Sequence, residues 1–349
     1  MKLHQMQLPR EVVVGKGTLR LVVSICKKLG FTKSAFVVTG VNTYKIAGSK
    51  IIDLLKDSGI SADYVLVSSS TSKDVNRVKA KIEEIRPQVV LGVGGGTKID
   101  VAKLSAARQG IPFMSIPTTA SHDGIASPLA SIKGLRKPFS IMAQAPMAIV
   151  ADTNVIVGAS HRYTASGCGD VIAKFTAVSD WDLAHRVKNE YYGEYAASLA
   201  LMSAKLVAKN ADSIKPGNEE GLRVLLEALI SCGVAMSIAG SSRPSSGSEH
   251  LFSHALDLVA SKPGMHGEQA GVGTIMMASL HGLNWRRIKS KLKKIGAPTT
   301  AEELKVAPED VVKSLVKAKS VRSERYTILD KKKLTYKSAE MLAKKTGVI

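Results

Sequence analysis

At 349 residues the chain is long enough for two domains, and 45% hydrophobic and 22% charged residues predict a globular protein rather than a disordered one. The formal net charge is +20, and residues 286–345 supply about half of the excess, with 18 Lys and Arg against seven Asp and Glu. This charge fits solvated helix faces better than a nucleic-acid surface, because aromatic residues make up only 5% and no nucleic-acid-binding module is recognisable.

Strand-like and helix-like segments alternate through the first half of the chain. Short runs rich in Val, Ile and Phe predict strands at Val12–Val14, Ala35–Thr39, Tyr64–Ser68, Val89–Val93, Phe113–Ile116 and Ala148–Val150. Amphipathic segments lie between them, as at Gly48–Ser58 and Lys73–Ile85. This alternation predicts βαβ units and a mostly parallel sheet, in which ligands bind at the carboxyl ends of the strands.

The pattern changes after about residue 160. Long Ala- and Leu-rich stretches replace the strand signals, at Glu194–Lys209, Gly221–Ala239, Glu249–Ala260 and Gly271–Leu280. We therefore predict an α/β domain in residues 1–160 and an all-helical domain in residues 161–349. The cleft between the two domains is the expected active site.

A glycine-rich turn, LGVGGGTKID at Leu91–Asp100, follows a predicted buried strand and leads into a predicted helix at Val101–Ala107. Its backbone amides suit a pyrophosphate, although tight turns also use glycine for steric reasons alone. It is neither the Rossmann fingerprint, which should follow the first strand, nor a Walker A loop, which needs a Lys-Ser/Thr pair. The next strand ends in Pro117–Gly124, whose hydroxyls either help to hold a dinucleotide or serve only as turn and cap residues.

Acidic and histidine side chains in the second half suggest a metal site. Asp170 lies at the start of a predicted helix, His250 and His254 are four residues apart on one helix face, and His266 precedes a further helix. One carboxylate and two histidines leave an open position, as a catalytic Zn²⁺ or Fe²⁺ requires. A lone histidine is more often a structural residue, and we apply that interpretation to the remaining candidates, His4, His161, His185 and His281.

Five strings occur in an order that resembles a known superfamily. They are GGGTKID (Gly94–Asp100), PTTASHDG (Pro117–Gly124), GCGDVIAK (Gly167–Lys174), RPSSGSEHLFSH (Arg243–His254) and HGEQ (His266–Gln269). Together they resemble the iron-containing alcohol dehydrogenase, glycerol dehydrogenase and dehydroquinate synthase superfamily. Within it the chain looks most similar to the sn-glycerol-1-phosphate dehydrogenase family, over nearly its whole length.

The resemblance implies roles for residues at the matching positions. Asp170, His250 and His266 would bind one divalent metal, most often zinc. Asp123, Asp170 and His254 would form the catalytic and substrate-contacting set. The residues implied to bind NAD or NADP are Gly94, Gly95, Gly96, Thr97, Lys98, Ile99, Asp100, Thr118, Thr119, Ala120, Ser121 and Ser127.

The reaction that the resemblance implies is reduction of dihydroxyacetone phosphate to sn-glycerol 1-phosphate, the backbone precursor of archaeal ether phospholipids. The main alternative is glycerol dehydrogenase, which acts on the unphosphorylated triol. Dehydroquinate synthase is less favoured, because its array of carboxylate-binding basic residues cannot be placed in this sequence. The superfamily also implies a homo-oligomer.

Two details of binding can be addressed from the sequence. The segment after the second predicted strand, Thr39–Lys45, contains no acid that would repel a 2′-phosphate, so we expect NADPH to be accepted alongside NADH. Candidate partners for the substrate phosphate are Lys174, Arg162 and Arg243. The proton donor stays open between a metal-bound water, His254 and Asp123.

Three widely spaced cysteines, Cys26, Cys168 and Cys232, do not suggest a disulfide framework, which favours a reducing compartment. The sequence shows no signal-peptide pattern and no run of about 20 apolar residues. We therefore expect a cytoplasmic protein without membrane insertion.

Overall fold

The computed structural model describes residues 4–132 and 139–349. The strands are β1 (Glu11–Gly15), β2 (Ser34–Thr39), β3 (Ser61–Leu66), β4 (Val89–Gly94), β5 (Phe113–Pro117), β6 (Leu129–Ile132), β7 (Phe139–Met142) and β8 (Ala148–Asp152). The helices between them are α1 (Val22–Lys28), α2 (Val41–Thr43), α3 (Ser49–Asp57), α4 (Ser72–Ile85) and α5 (Gly96–Ala107). A π-helical segment, Tyr44–Gly48, joins α2 to α3.

Six strands form one entirely parallel sheet in the order β1-β8-β5-β4-β2-β3. The predicted mostly parallel sheet is thereby confirmed. The third predicted strand, Tyr64–Ser68, was placed too late, because β3 pairs with β2 from Ser61 and ends where β2 ends. Strands β6 and β7 form a separate antiparallel pair that the sequence analysis missed, since each has only four residues.

The sheet is buried on both faces, as its apolar central strands require. Along β2, Val37 belongs to a core with α1 and α3, whereas Phe36 and Val38 belong to a core with α4 and α5. Every residue of β4 is buried. The carboxyl ends of the strands therefore emerge from a rigid, two-sided core.

The second half is helical in the described residues, as predicted. Its helices are α6 (Thr153–Val157), α7 (His161–Ile172), α8 (Lys174–Lys188), α9 (Glu194–Lys209), α10 (Glu219–Ala239), α11 (Ser248–Val259), α12 (His266–His281), α13 (Trp285–Ile295), α14 (Ala301–Leu304), α15 (Pro308–Val321), α16 (Ile328–Lys332) and α17 (Tyr336–Lys345). Helix α10 is long and apolar enough for a membrane span, but 67% of its apolar window is buried inside the protein, which is the pattern of a core helix.

One apolar core joins the sheet to the helices. The cluster on the α4–α5 side of the sheet continues through α7, α10, α11 and α12, with Leu225, Phe252 and Val272 fully buried. The two halves thus share a hydrophobic core, and the division at residue 160 stays a prediction.

Glycines allow α7 and α12 to approach unusually closely. A Cβ atom on Gly169 would lie 2.2 Å from the carbonyl oxygen of Gly267, and one on Gly267 would lie 1.9 Å from that of Ser166. Larger residues at these positions would separate the helices. This contact places Asp170, near the end of α7, beside His266, the first residue of α12.

Candidate active site

A cleft of about 1310 Å³ runs along the carboxyl edge of the sheet and reaches the helical half. It is larger than most small-molecule pockets, as a dinucleotide together with a substrate would require. Of the twelve predicted cofactor-binding residues, nine line it: Gly95, Gly96, Thr97, Lys98, Asp100, Thr118, Thr119, Ser121 and Ser127. Gly94 lies at the end of β4, and Ile99 and Ala120 are completely buried in the core.

The glycine-rich turn is shorter than predicted. Helix α5 begins at Gly96 rather than at Val101, and the amides of Lys98 and Ile99 both donate to the carbonyl oxygen of Gly95. Packing requires glycine at this helix start, because a Cβ on Gly96 would lie only 1.7 Å from Nε2 of His122. Gly96 is therefore consistent with both the steric and the pyrophosphate-binding interpretation of the turn. It makes room for the neighbouring ring, and it leaves the helix N-terminus open to an anion.

The three predicted metal ligands come together in the cleft region. One ligand atom from each of Asp170, His250 and His266 lies within 4.8 Å of the other two. Asp170 lies near the end of α7, not at the start of a helix as predicted, and α8 begins only after it. The His250 Nε2 to Asp170 Oδ1 distance is 3.4 Å.

Neighbouring groups fix the orientation of His250. The Nδ1 atom of His250 lies 2.7 Å from Oε1 of Glu249, which as a carboxylate can only accept a hydrogen bond. The Nδ1 of His250 therefore carries the proton and its Nε2 is turned toward Asp170. Glu249 is fixed in turn by the hydroxyl of Thr176, at 2.6 Å, and by the amide of Gly247, at 2.7 Å.

The pKa shifts of two predicted ligands, Asp170 and His266, suit a metal, whereas at His250, although burial opposes this, the carboxylates of Asp170 and Glu249 raise the pKa. Burial works against ionisation of Asp170, but Lys174 and the neighbouring histidines hold the pKa of this carboxyl well below its usual range. Burial and the nearby His250 lower the pKa of His266 to about 3, so its ring is neutral at physiological pH. A carboxylate and imidazole nitrogens are the donor set that zinc and iron prefer.

Lys174 is completely buried between two carboxylates. Its Nζ lies 2.7 Å from Oδ2 of Asp123 and 2.8 Å from Oδ1 of Asp170. Although burial opposes its charge, these two acids raise the pKa of Lys174, so it remains protonated. The backbone amide of Asp123 also donates to Oδ2 of Asp170, at 2.8 Å. Asp123 and Asp170 are thereby held together as one unit.

The cations suggested for the substrate phosphate are already in ion pairs. Lys174 neutralises Asp123 and Asp170, and Arg162 forms two hydrogen bonds with Glu268, at 2.6 and 2.8 Å. The remaining candidate, Arg243, pairs with Glu190. A role for any of these three cations in binding the substrate phosphate stays a prediction.

His254 lies one turn beyond His250 and lines the same cleft. Its ring stacks against that of His266, with centroids 5.8 Å apart, and its Nδ1 atom has no hydrogen-bond partner among the described residues. Burial and the neighbouring cationic side chains hold the pKa of His254 well below its usual range. A neutral ring that lines the cleft can form a hydrogen bond with a substrate.

Two residues of the site were not identified from the sequence. Glu249 precedes His250 directly, and an acid next to a candidate metal ligand was the available signal. His122 lines the cleft over Gly96, and its Nδ1 accepts a hydrogen bond from the amide of Gly124 at 2.8 Å. No sequence pattern distinguished it from the polar loop around it.

Comparisons with known proteins identify the family of the chain. A family model described as iron-containing alcohol dehydrogenase matches residues 13–159. A glycerol-1-phosphate dehydrogenase (NAD(P)+) of Thermococcus kodakarensis is 53% identical over 348 residues, covering 100% of this chain and 99% of that protein. The chain belongs to the glycerol-1-phosphate dehydrogenase family. A glycerol-1-phosphate dehydrogenase (NAD(P)+) of Methanosarcina mazei is 52% identical to this chain over 344 residues. The alignment covers 99% of this chain and 96% of that protein.

Solved structures support the same fold. A glycerol dehydrogenase of Schizosaccharomyces pombe has a TM-score of 0.83 at 22% identity, covering 99% of this chain and 91% of that one. A 1,3-propanediol oxidoreductase has a TM-score of 0.76 at 15% identity, covering 99% of this chain and 100% of that one. The predicted architecture, an α/β half followed by a helical half, is thus confirmed for this glycerol-1-phosphate dehydrogenase family member.

Proposed function

We propose that the chain is an oxidoreductase that reduces dihydroxyacetone phosphate to sn-glycerol 1-phosphate with NADH or NADPH, and so supplies a phospholipid backbone. Membership of the glycerol-1-phosphate dehydrogenase family supports the substrate. The observation that carries the chemistry is the convergence of Asp170, His250 and His266, because the two histidines line the same cleft as the glycine-rich turn.

A divalent cation, which we propose to be zinc, would polarise the ketone when held by these three residues, and the reduced nicotinamide would supply the hydride. The chain's own groups prepare the site for both. Glu249 keeps the proton of His250 on Nδ1, and Lys174 prevents the carboxylates of Asp123 and Asp170 from repelling each other. His254, as a neutral ring, would orient the substrate rather than carry a proton to it as an imidazolium.

The proposal that both cofactors are accepted is supported by the residues around α2. Gly40, Val41 and Asn42 line the cleft there without an acid to repel a 2′-phosphate. The cationic side chain of Lys98 also lines the cleft, and a Cβ on Gly40 would meet its Cε at 2.5 Å. Arg77 lines the cleft as well, and it pairs with Asp74. A cytoplasmic location and a homo-oligomeric state stay predictions from the sequence.

The test is oxidation of NADH and of NADPH by the purified protein with dihydroxyacetone phosphate, and separately with unphosphorylated dihydroxyacetone. We expect turnover of the phosphate ester, its loss after chelation, and its return with added zinc, with sn-glycerol 1-phosphate as the enantiomer formed. His185→Ala, on an exposed part of α8, serves as a histidine control. Turnover of only the unphosphorylated ketone would instead indicate a glycerol dehydrogenase.

A further inference from the structure

Three serines of the segment between α10 and α11 face the active-site cleft. Ser242, Ser245 and Ser246 line it together with His250 and His254. Ser245 is only 2% exposed, and its Oγ has no hydrogen-bond partner among the described residues. A buried hydroxyl without a partner is unfavourable, so its place in the wall of a cleft points to a ligand that completes it.

A guanidinium lies directly behind these serines. Arg325 donates from Nη2 to Oγ of Ser242, at 2.7 Å, and from Nη1 to the backbone carbonyl of Ser246. Because Ser242 accepts this hydrogen bond, its own hydroxyl proton remains to be donated elsewhere. In the described part of the chain no salt bridge joins Arg325 to a carboxylate, whereas the neighbouring Arg243 pairs with Glu190.

The electrostatic environment is correspondingly positive. Burial, with Arg322 and Arg243 nearby, lowers the pKa of Arg325 to about 9. A buried cation in such surroundings is stabilised by an anion brought close to it. The positive charges of Arg322 and Arg325 also contribute to the lowered pKa of His254, which lines the same cleft.

We infer that Ser242, Ser245 and Ser246, backed by Arg325, bind the phosphate group of a phosphate monoester substrate. This inference rests on the proposed function. The serines come just before α11, which carries His250 and His254, so a ligand held by them lies beside the metal ligands. The glycine-rich turn, in contrast, lies at the carboxyl end of a strand of the sheet. The phosphate held here is therefore the substrate's own.

The test compares Ser245→Ala and Ser245→Asp with the wild-type enzyme. Loss of a hydrogen bond to a charged group should raise KM for dihydroxyacetone phosphate by about tenfold or more in Ser245→Ala. The aspartate, which places a fixed anion in the cleft wall among these serines, should abolish saturation by the phosphate ester. Turnover of unphosphorylated dihydroxyacetone should change less than threefold in either variant, as expected of a site that contacts only the phosphate.

Ser248→Ala is the matched control. Its hydroxyl is also buried without a hydrogen-bond partner among the described residues, but Ser248 does not line the cleft. We expect its KM for dihydroxyacetone phosphate to equal that of the wild type.

Binding of inorganic phosphate, measured by equilibrium dialysis with NADP+ at saturation to fill the dinucleotide site, separates this inference from the proposed function. Binding to the wild type that is lost in Ser245→Asp supports the phosphate site, even in a protein that does not reduce dihydroxyacetone phosphate. Unchanged KM values and unchanged phosphate binding in both Ser245 variants overturn the phosphate site, while the dehydrogenase assay of the wild type decides the proposed function independently.

Discussion

The contact between α7 and α12 makes Gly169 a sensitive position for the metal site. In a Gly169→Ala variant the new Cβ would lie 2.2 Å from the carbonyl oxygen of Gly267, and such contacts are essentially never shorter than 3.0 Å. The helices must therefore separate by at least 0.8 Å, the difference between these two distances. Metal–ligand distances tolerate only about 0.2 Å. Because Asp170 and His266 lie on the two separated helices, they cannot both keep their positions.

We expect Gly169→Ala to weaken metal binding by about 10- to 100-fold, the range typical of changes just outside a ligand shell. Zinc affinity is measured by competition with a chromophoric chelator, and turnover of dihydroxyacetone phosphate should fall with metal occupancy. Gly271→Ala is the matched control, because its Cβ would lie 3.3 Å from Cα of Gly169, which calls for only a slight adjustment. Equal zinc affinities in the wild type and Gly169→Ala would refute the reasoning.

Three further predictions concern single side chains. Glu249→Gln, which removes the carboxylate that fixes His250, should lower zinc affinity by about 10-fold or more in the same competition assay; unchanged affinity would show that Glu249 does not orient the ligand. Lys98→Ala should raise KM for NADPH by about tenfold while changing KM for NADH little, and equal changes would remove Lys98 from 2′-phosphate recognition. Burial works against ionisation of Asp74, but hydrogen bonds from two hydroxyls and Arg77 lower its pKa below 3.8. Its charge therefore stabilises the fold above pH 3.8, and this contribution is lost as the pH falls through the folded-state pKa. In urea titrations Asp74→Asn should lose less stability than the wild type on acidification below that pH, and parallel curves would contradict this.

The sheet could be predicted because its strands are short apolar runs separated by amphipathic helices. The errors arose where packing overrides local preference. Glycine and threonine at residues 94–97 suggest a long loop, yet α5 begins at Gly96, where the ring of His122 leaves no room for a Cβ. Similarly, two glycines near Asp170 suggest a helix start, although both lie within α7, where Gly167 packs against the backbone of Ala120 and Gly169 against that of Gly267 in α12.

For the site, residue type and spacing identified candidate ligands but not their partners. The contacts that organise it join residues far apart in sequence, as between Lys174 and Asp123 or between Glu249 and Thr176. Arg325 illustrates the limit most clearly, because it reaches Ser242 from a segment about 80 residues away that contains no recognisable motif. Spacing in sequence carries no information about such pairs.

The apolar core that runs from the sheet into the helices restricts how the enzyme can move. A wide hinge opening would expose buried residues such as Leu225 and Phe252, and would cost the free energy of their burial. Sliding of packed helices and rearrangement of individual loops leave that core intact. We therefore expect substrate entry and product release to involve such smaller movements rather than a wide separation of the two halves.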